Sequence, residues 1–103
     1  MVLNPSDFSL VVARSAHEMV ERVEWMSPID YEILLFFEEH DIRVSPKVLS
    51  ANIDYDRQYT SKRCRRLMEA DILEKDEAGL FILTNKGREF LTGRIKASEF
   101  EDN

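Results

Sequence analysis

From Ser45 to Ala70 the chain reads SPKVLSANIDYDRQYTSKRCRRLMEA, and this stretch decides the fold. Ser45-Pro46 joins a capping residue to one whose fixed φ suits a first helical position. A short helix is predicted from Pro46 to about Asn52, burying Val48 and Leu49. Ile53-Asp54-Tyr55 make a turn, and Asp56 is placed to cap a second helix over about Arg57 to Ala70. In that helix Thr60, Cys64, Leu67 and Met68 recur at i, i+4, i+7 and i+8, which draws an inward stripe. Arg57, Gln58, Ser61, Lys62 and Arg65 point elsewhere. A short helix, a tight turn and a second helix with a polar outer face make the helix-turn-helix pattern.

Downstream, Ile72-Leu73-Glu74-Lys75 and Leu80-Phe81-Ile82-Leu83 read as two strands joined by Asp76-Glu77-Ala78-Gly79. Gly79 is available for positive φ, so the pair is a β-hairpin placed as a wing behind the two helices. Thr84 caps a last helix from Asn85 to about Lys96, whose Phe90, Leu91 and Ile95 cover the core or extend a dimer contact. Residues 98–103, SEFEDN, read as a frayed acidic tail.

Upstream, Ser27-Pro28 repeats the cap-and-proline device and starts a helix to about Glu39. Ile29, Ile33, Leu34 and Phe37 share one face, while Asp30, Glu32, Glu38 and Glu39 take much of the other. Asp30 and Glu32 also suit the positive end of the helix dipole. Ile42-Arg43-Val44 is one short candidate strand.

Residues 1–26 are predicted as an N-terminal helix with Asp7 as its cap. Val12, Ala16, Met19, Val23 and Met26 are spaced four, three, four and three, a heptad seam. Two heptads do not hold an isolated coiled coil, so the seam packs on the domain, on a second copy, or on both. The dimer is the favoured reading, with Trp25 as a packing anchor between the first two helices. The expected fold is mainly α with a small β-hairpin (α+β): a winged helix-turn-helix at 27–97 with an extra N-terminal helix at 1–26 and an acidic tail at 98–103.

The 103 residues suit one domain, and 44% hydrophobic residues supply a core. No apolar run reaches membrane-spanning length. Asn4, Pro5 and Asp7 precede any apolar segment, which is not the pattern of a signal peptide. Cys64 stands alone and is read as a buried filler rather than a redox switch, and His17 and His40 are too far apart for zinc-ligand spacing. With no glycine-rich phosphate loop and no clustered nucleophile and base, the expectation is a cytoplasmic protein with no cofactor, no metal and no enzymatic activity.

The net charge of −6 argues at first against a phosphate-binding protein. Its distribution reverses the argument. Residues 57–66 hold five basic side chains and no acidic one, while the rest of the chain holds nine basic and twenty acidic. A helix fits the major groove, so this one is the candidate reader of double-stranded DNA. Arg57 suits guanine, Gln58 suits adenine, and Tyr59 and Ser61 suit phosphates or bases. Lys62, Arg63, Arg65 and Arg66 suit phosphates, with part of that set free to pair with Glu69 or Glu38 instead. The competing reading, a solvated face of internal ion pairs, finds no acid inside the run and only Glu69 at i±4 from one of its basic side chains. The anionic tip Asp76-Glu77 is expected to stay off the DNA backbone unless Lys75 reaches across.

Trp25-Met26-Ser27-Pro28-Ile29-Asp30 with Ile33-Leu34 resembles the opening of small winged-helix proteins of halophilic archaea and their viruses. So do Pro46-Lys47-Val48-Leu49, Ile53-Asp54-Tyr55, the run Tyr59 to Leu67, and the closing Leu83-Thr84-Asn85-Lys86-Gly87-Arg88. The likeness spans about residues 25–95 and is to phiH-repressor-like regulators within a MarR-like class. It implies a transcriptional regulator, commonly a repressor, acting as a dimer on DNA; the acidic wing departs from DNA-contacting wings of that class.

The expectation is a homodimeric repressor on a pseudo-palindromic operator, read by the helix at about 57–70. The alternative is a winged-helix module that binds protein. An acidic surface serves plain solubility or work in concentrated salt, and beside a basic reading helix the second is the more coherent. Near 1 M salt the Debye length is about 3 Å, so the acidic remainder barely repels DNA and direct contacts decide binding.

Overall fold

The computed structural model describes residues 21–101. Helix starts are set by local side-chain chemistry. Ser45 Oγ accepts from the Val48 N–H at 3.2 Å, Asp56 Oδ2 from the Tyr59 N–H at 2.9 Å and Thr84 Oγ1 from the Gly87 N–H at 2.9 Å. At Ser27 the bond runs the other way: its N–H donates to Asp30 Oδ2 at 2.8 Å. Each contact satisfies a donor that the first helical turn leaves unpaired. The elements that follow are α1 (Pro28–Glu39), α2 (Pro46–Ile53), α3 (Arg57–Glu69), β1 (Leu73–Lys75), β2 (Phe81–Leu83) and α4 (Asn85–Leu91), with a 3-10 turn at Ala97–Phe100.

The core gathers Ile29, Ile33, Leu34 and Phe37 of α1, Leu49 of α2, Cys64 and Leu67 of α3, and Ile72, Leu73, Phe81, Leu83 and Phe90. Phe36 joins them, edge-on to Phe37. His40 ends α1 as its C-cap, stacked on Phe36. Asp54 turns the chain between α2 and α3 by adopting φ 61, a conformation Asp tolerates better than most side chains. β1 and β2 pair antiparallel, Leu73 opposite Leu83 and Lys75 opposite Phe81. The candidate strand at 42–44 shrinks to one bridge, Val44 to Phe81. At the hairpin tip Asp76 accepts from the Ala78 and Leu80 N–H groups at 2.9 Å each, while Gly79 takes φ 83.

Several expectations need correction. Val48 and Met68 are not buried, being 47% and 36% exposed: Leu49 alone of its pair faces the core, and Met68 lies at the edge of the Thr60–Cys64–Leu67 stripe. Asp30 is not on a solvated face but wholly buried. The last helix stops at Leu91, because Gly93 at φ 85 releases the chain and the Arg94 N–H closes back on Glu89 O at 2.8 Å. Ile95 is half-buried after this turn rather than on a continuing helix.

The two ends of the described chain differ most from expectation. Residues 21–26 are not helical, so the N-terminal helix does not extend to Met26. Val23 and Met26 are buried in the chain's own core, which removes them from the proposed dimer seam; Val12, Ala16 and Met19 lie outside the described residues, as does His17. Nor do residues 98–101 fray. Phe100 is buried edge-on to Phe90, its carbonyl accepts from Trp25 Nε1 at 2.6 Å, and Lys86 sits over its ring. Glu21 accepts from the Ala97 N–H at 2.7 Å, and Glu101 from the Glu24 N–H at 3.2 Å. Trp25 therefore anchors the chain's late residues to its early ones, not two helices to each other.

Two changes test this packing. A methyl at Gly87 would lie 2.6 Å from the Ile72 carbonyl oxygen, which is backbone and cannot step aside. Gly87→Ala is expected to cost about 1–3 kcal/mol, read from urea unfolding. Burial, with a smaller push from Asp30, raises the Cys64 thiol from 9.0 to about 12. A thiol whose folded value lies above its unfolded value adds stability below pH 9 that is lost as pH rises toward 12. Cys64→Ala should therefore flatten the fall in thermal stability between pH 9 and 11, and native Cys64 should alkylate only as the chain unfolds.

Candidate nucleic-acid interface

α3 lays its apolar stripe on the core and turns the opposite side outward. Arg57, Gln58, Tyr59, Lys62 and Arg65 are exposed and Ser61 is half-buried. Arg57, Gln58, Ser61 and Arg65 line one wall of a cleft of about 690 Å³ whose other wall is Ser45, Pro46 and Lys47 at the start of α2. Arg65 donates to Ser61 Oγ at 2.9 Å, one helical turn apart, which holds its guanidinium along the cleft. Neither α2 nor α3 has an acid in its first turn, although the chain as a whole is strongly acidic. The N-terminus of α2, capped by the neutral Ser45, thus adds its partial positive charge to the side-chain cations there, whereas that of α3 is already met by the Asp56 carboxylate.

Lys47 is the residue that sequence reading missed. A lysine in the first turn of α2 opposes the helix dipole, where Asp or Glu would be favoured, and that mismatch was the available signal. Tyr59 packs obliquely against Tyr55, ring centres 6.5 Å apart, at the entrance to α3. Both rings stay more than a third exposed.

The basic run does not act as one surface. Arg63, expected on phosphates, is turned into the protein. It donates from Nε to Asp30 Oδ1 at 3.0 Å, from Nη2 to Asp30 Oδ2 at 2.5 Å and from Nη2 to the Trp25 carbonyl at 3.3 Å. Its partner is Asp30 and not Glu38 or Glu69, and the bond to Asp30 raises its pKa against the opposing effect of burial. Arg66 is half-buried and lies over the Trp25 ring, 3.7 Å from its centre. Arg63 and Arg66, both expected on phosphates, are thus engaged with Asp30 and Trp25 of their own chain.

The wing is the β1–β2 hairpin, with Asp76 and Glu77 at its tip. Arg43 pairs with Asp76 at 3.4 Å, and the Leu80 N–H foremost holds that carboxyl below its ordinary pKa. Lys75 lies over the Phe81 ring, 5.6 Å from its centre, and Glu77 at the tip is exposed. Among the described residues no three His, Cys, Asp or Glu side chains are grouped to hold a metal, and no helix is long and apolar enough to cross a membrane.

Residues 19–103 match the family of winged helix-turn-helix phage repressors. A relative in Halobacterium phage phiH, described as a repressor protein, is 32% identical over 87 residues, covering 81% of this chain and 98% of its own. Among solved structures, RV1404 from Mycobacterium tuberculosis is similar with a TM-score of 0.66 at 18% identity, over 96% of this chain and 75% of that one. A possible transcriptional regulator from Methanosarcina mazei reaches a TM-score of 0.55 at 15% identity, over 84% and 75%. These two likenesses are of fold alone.

Proposed function

The chain belongs to the winged helix-turn-helix phage repressor family, and from that premise we propose that it binds an operator in double-stranded DNA with α3 in the major groove. The observation that carries this reading is the cleft itself. Base-reading side chains Arg57, Gln58 and Ser61 on α3 face Lys47 and the N-terminus of α2, which suit the phosphates flanking a groove. Lys62 and Arg65 extend the same cationic face. The wing, capped by Asp76 and Glu77, stays off the phosphate backbone, so specificity rests on α3.

The protein acts as a homodimer in this proposal, with Val12, Ala16 and Met19 as the remaining seam. Two copies related by a two-fold axis would present two α3 helices to a pseudo-palindromic site with half-sites about one DNA turn apart. Its acidic surface suits concentrated salt, where such short-range contacts replace long-range steering.

The wild-type protein should retard a duplex selected from a randomised pool. Arg57→Ala combined with Lys62→Ala should weaken that complex at least tenfold, since each lost contact is worth about 1–3 kcal/mol. Unchanged affinity would remove α3 as the reading helix, and no retardation of any duplex would favour the protein-binding alternative that the acidic wing suggests. Val12→Asp with Met19→Asp should reduce the light-scattering mass to that of one chain; a persisting dimer would place the interface elsewhere.

A further inference from the structure

We infer that Arg63 is a positioning residue for recognition: its pair with Asp30 fixes the roll of α3 about its own axis, and with it the register in which Arg57, Gln58 and Ser61 meet base edges. The inference rests on the reading of α3 as the recognition helix.

The geometry is that of a rigid joint. Both carboxylate oxygens of Asp30 are engaged by two nitrogens of one guanidinium, at 3.0 and 2.5 Å. Such a fork-to-fork contact constrains angle as well as distance. The Asp30 side chain has no exposed surface and is itself fixed, because Oδ2 also accepts from the Ser27 N–H at 2.8 Å. A third bond, from Arg63 Nη2 to the Trp25 carbonyl at 3.3 Å, ties the same guanidinium to the turn before α1. By contrast, the buried stripe of α3 is one threonine, one cysteine and one leucine. Apolar packing of that kind turns the stripe inward but is non-directional, so it fixes the fine rotation of the helix less sharply than directed bonds do. At 3.6 residues per turn Arg63 lies about 160° around the helix from Arg65, so it cannot share the cleft face with it.

A guanidinium neutralised by Asp30 also releases no counterion from DNA. Arg63 is thus silent in the salt dependence of binding although it belongs to the basic run.

The experiment uses the full chain, the duplex selected by wild type and an unrelated duplex of equal length, titrated across salt concentrations. Arg63→Lys keeps the charge and loses the fork. It is expected to stay folded by circular dichroism and keep the wild-type salt slope, while its preference for the selected duplex falls about tenfold. A merely structural role would weaken both duplexes together and leave their ratio intact. Asp30→Asn with Arg63→Gln removes both charges and should also keep the wild-type slope, whereas Lys62→Gln should make it shallower by about 0.9 per bound chain. An unchanged preference in Arg63→Lys, or a slope in the double variant as shallow as that of Lys62→Gln, would overturn the inference. Wild-type protein that retards neither duplex would end the DNA reading first, before any variant is compared.

Discussion

A carboxylate wholly removed from water has to be satisfied on every side, and Asp30 imposes that demand on everything around it. It closes the first turn of α1 through the Ser27 N–H and receives both arms of Arg63 from α3. One buried side chain therefore fixes where α1 starts and how α3 lies against it. Buried ion pairs are weak sources of stability, since desolvation offsets most of the attraction. Their directional bonds define a single arrangement of α3 against α1. Breaking one partner away leaves an uncompensated charge, so the arrangement is costly to abandon once formed.

How much of this was readable in advance depends on the distance over which each signal acts. Ser27-Pro28, Ser45-Pro46, Asp56 and Thr84 mark the starts of α1 to α4 through bonds to residues three positions on, or through φ alone, whereas the 3-10 turn at Ala97–Phe100 has no side-chain cap to announce it. The Asp30–Arg63 pair joins residues 33 apart, and no local pattern announces it. The sequence offers Glu69 and Glu38 as partners for the basic run, and Arg63 takes neither. The heptad spacing misled because Val23 and Met26 satisfy it while serving the chain's own core. Phe100 was a visible clue among acidic neighbours, since a large ring is seldom left in a solvated tail, but charge dominated the reading of that segment. Gly93, at φ 85, likewise ends the last helix short of Ile95.

The candidate site was legible as a helix and not as a surface. Charge counting found α3, and only the packing separates the side chains that face the cleft from those that face Asp30 and Trp25. It also brings in Lys47, which belongs to another helix and gains meaning from standing opposite Arg57 and Arg65. A net charge of −6 is thus compatible with an anionic target, because five of the cations are concentrated on one helix.

The meeting of early and late residues at Trp25 has an optical consequence. This is the protein's single tryptophan, and its indole N–H holds the Phe100 carbonyl while the Arg66 guanidinium covers its ring. Excitation at the red edge of the protein absorption band therefore addresses one chromophore. Its surroundings are contributed by the segment before α1, by α3 and by the closing 3-10 turn. The emission of that indole is an intrinsic, label-free record of whether those three parts are still together.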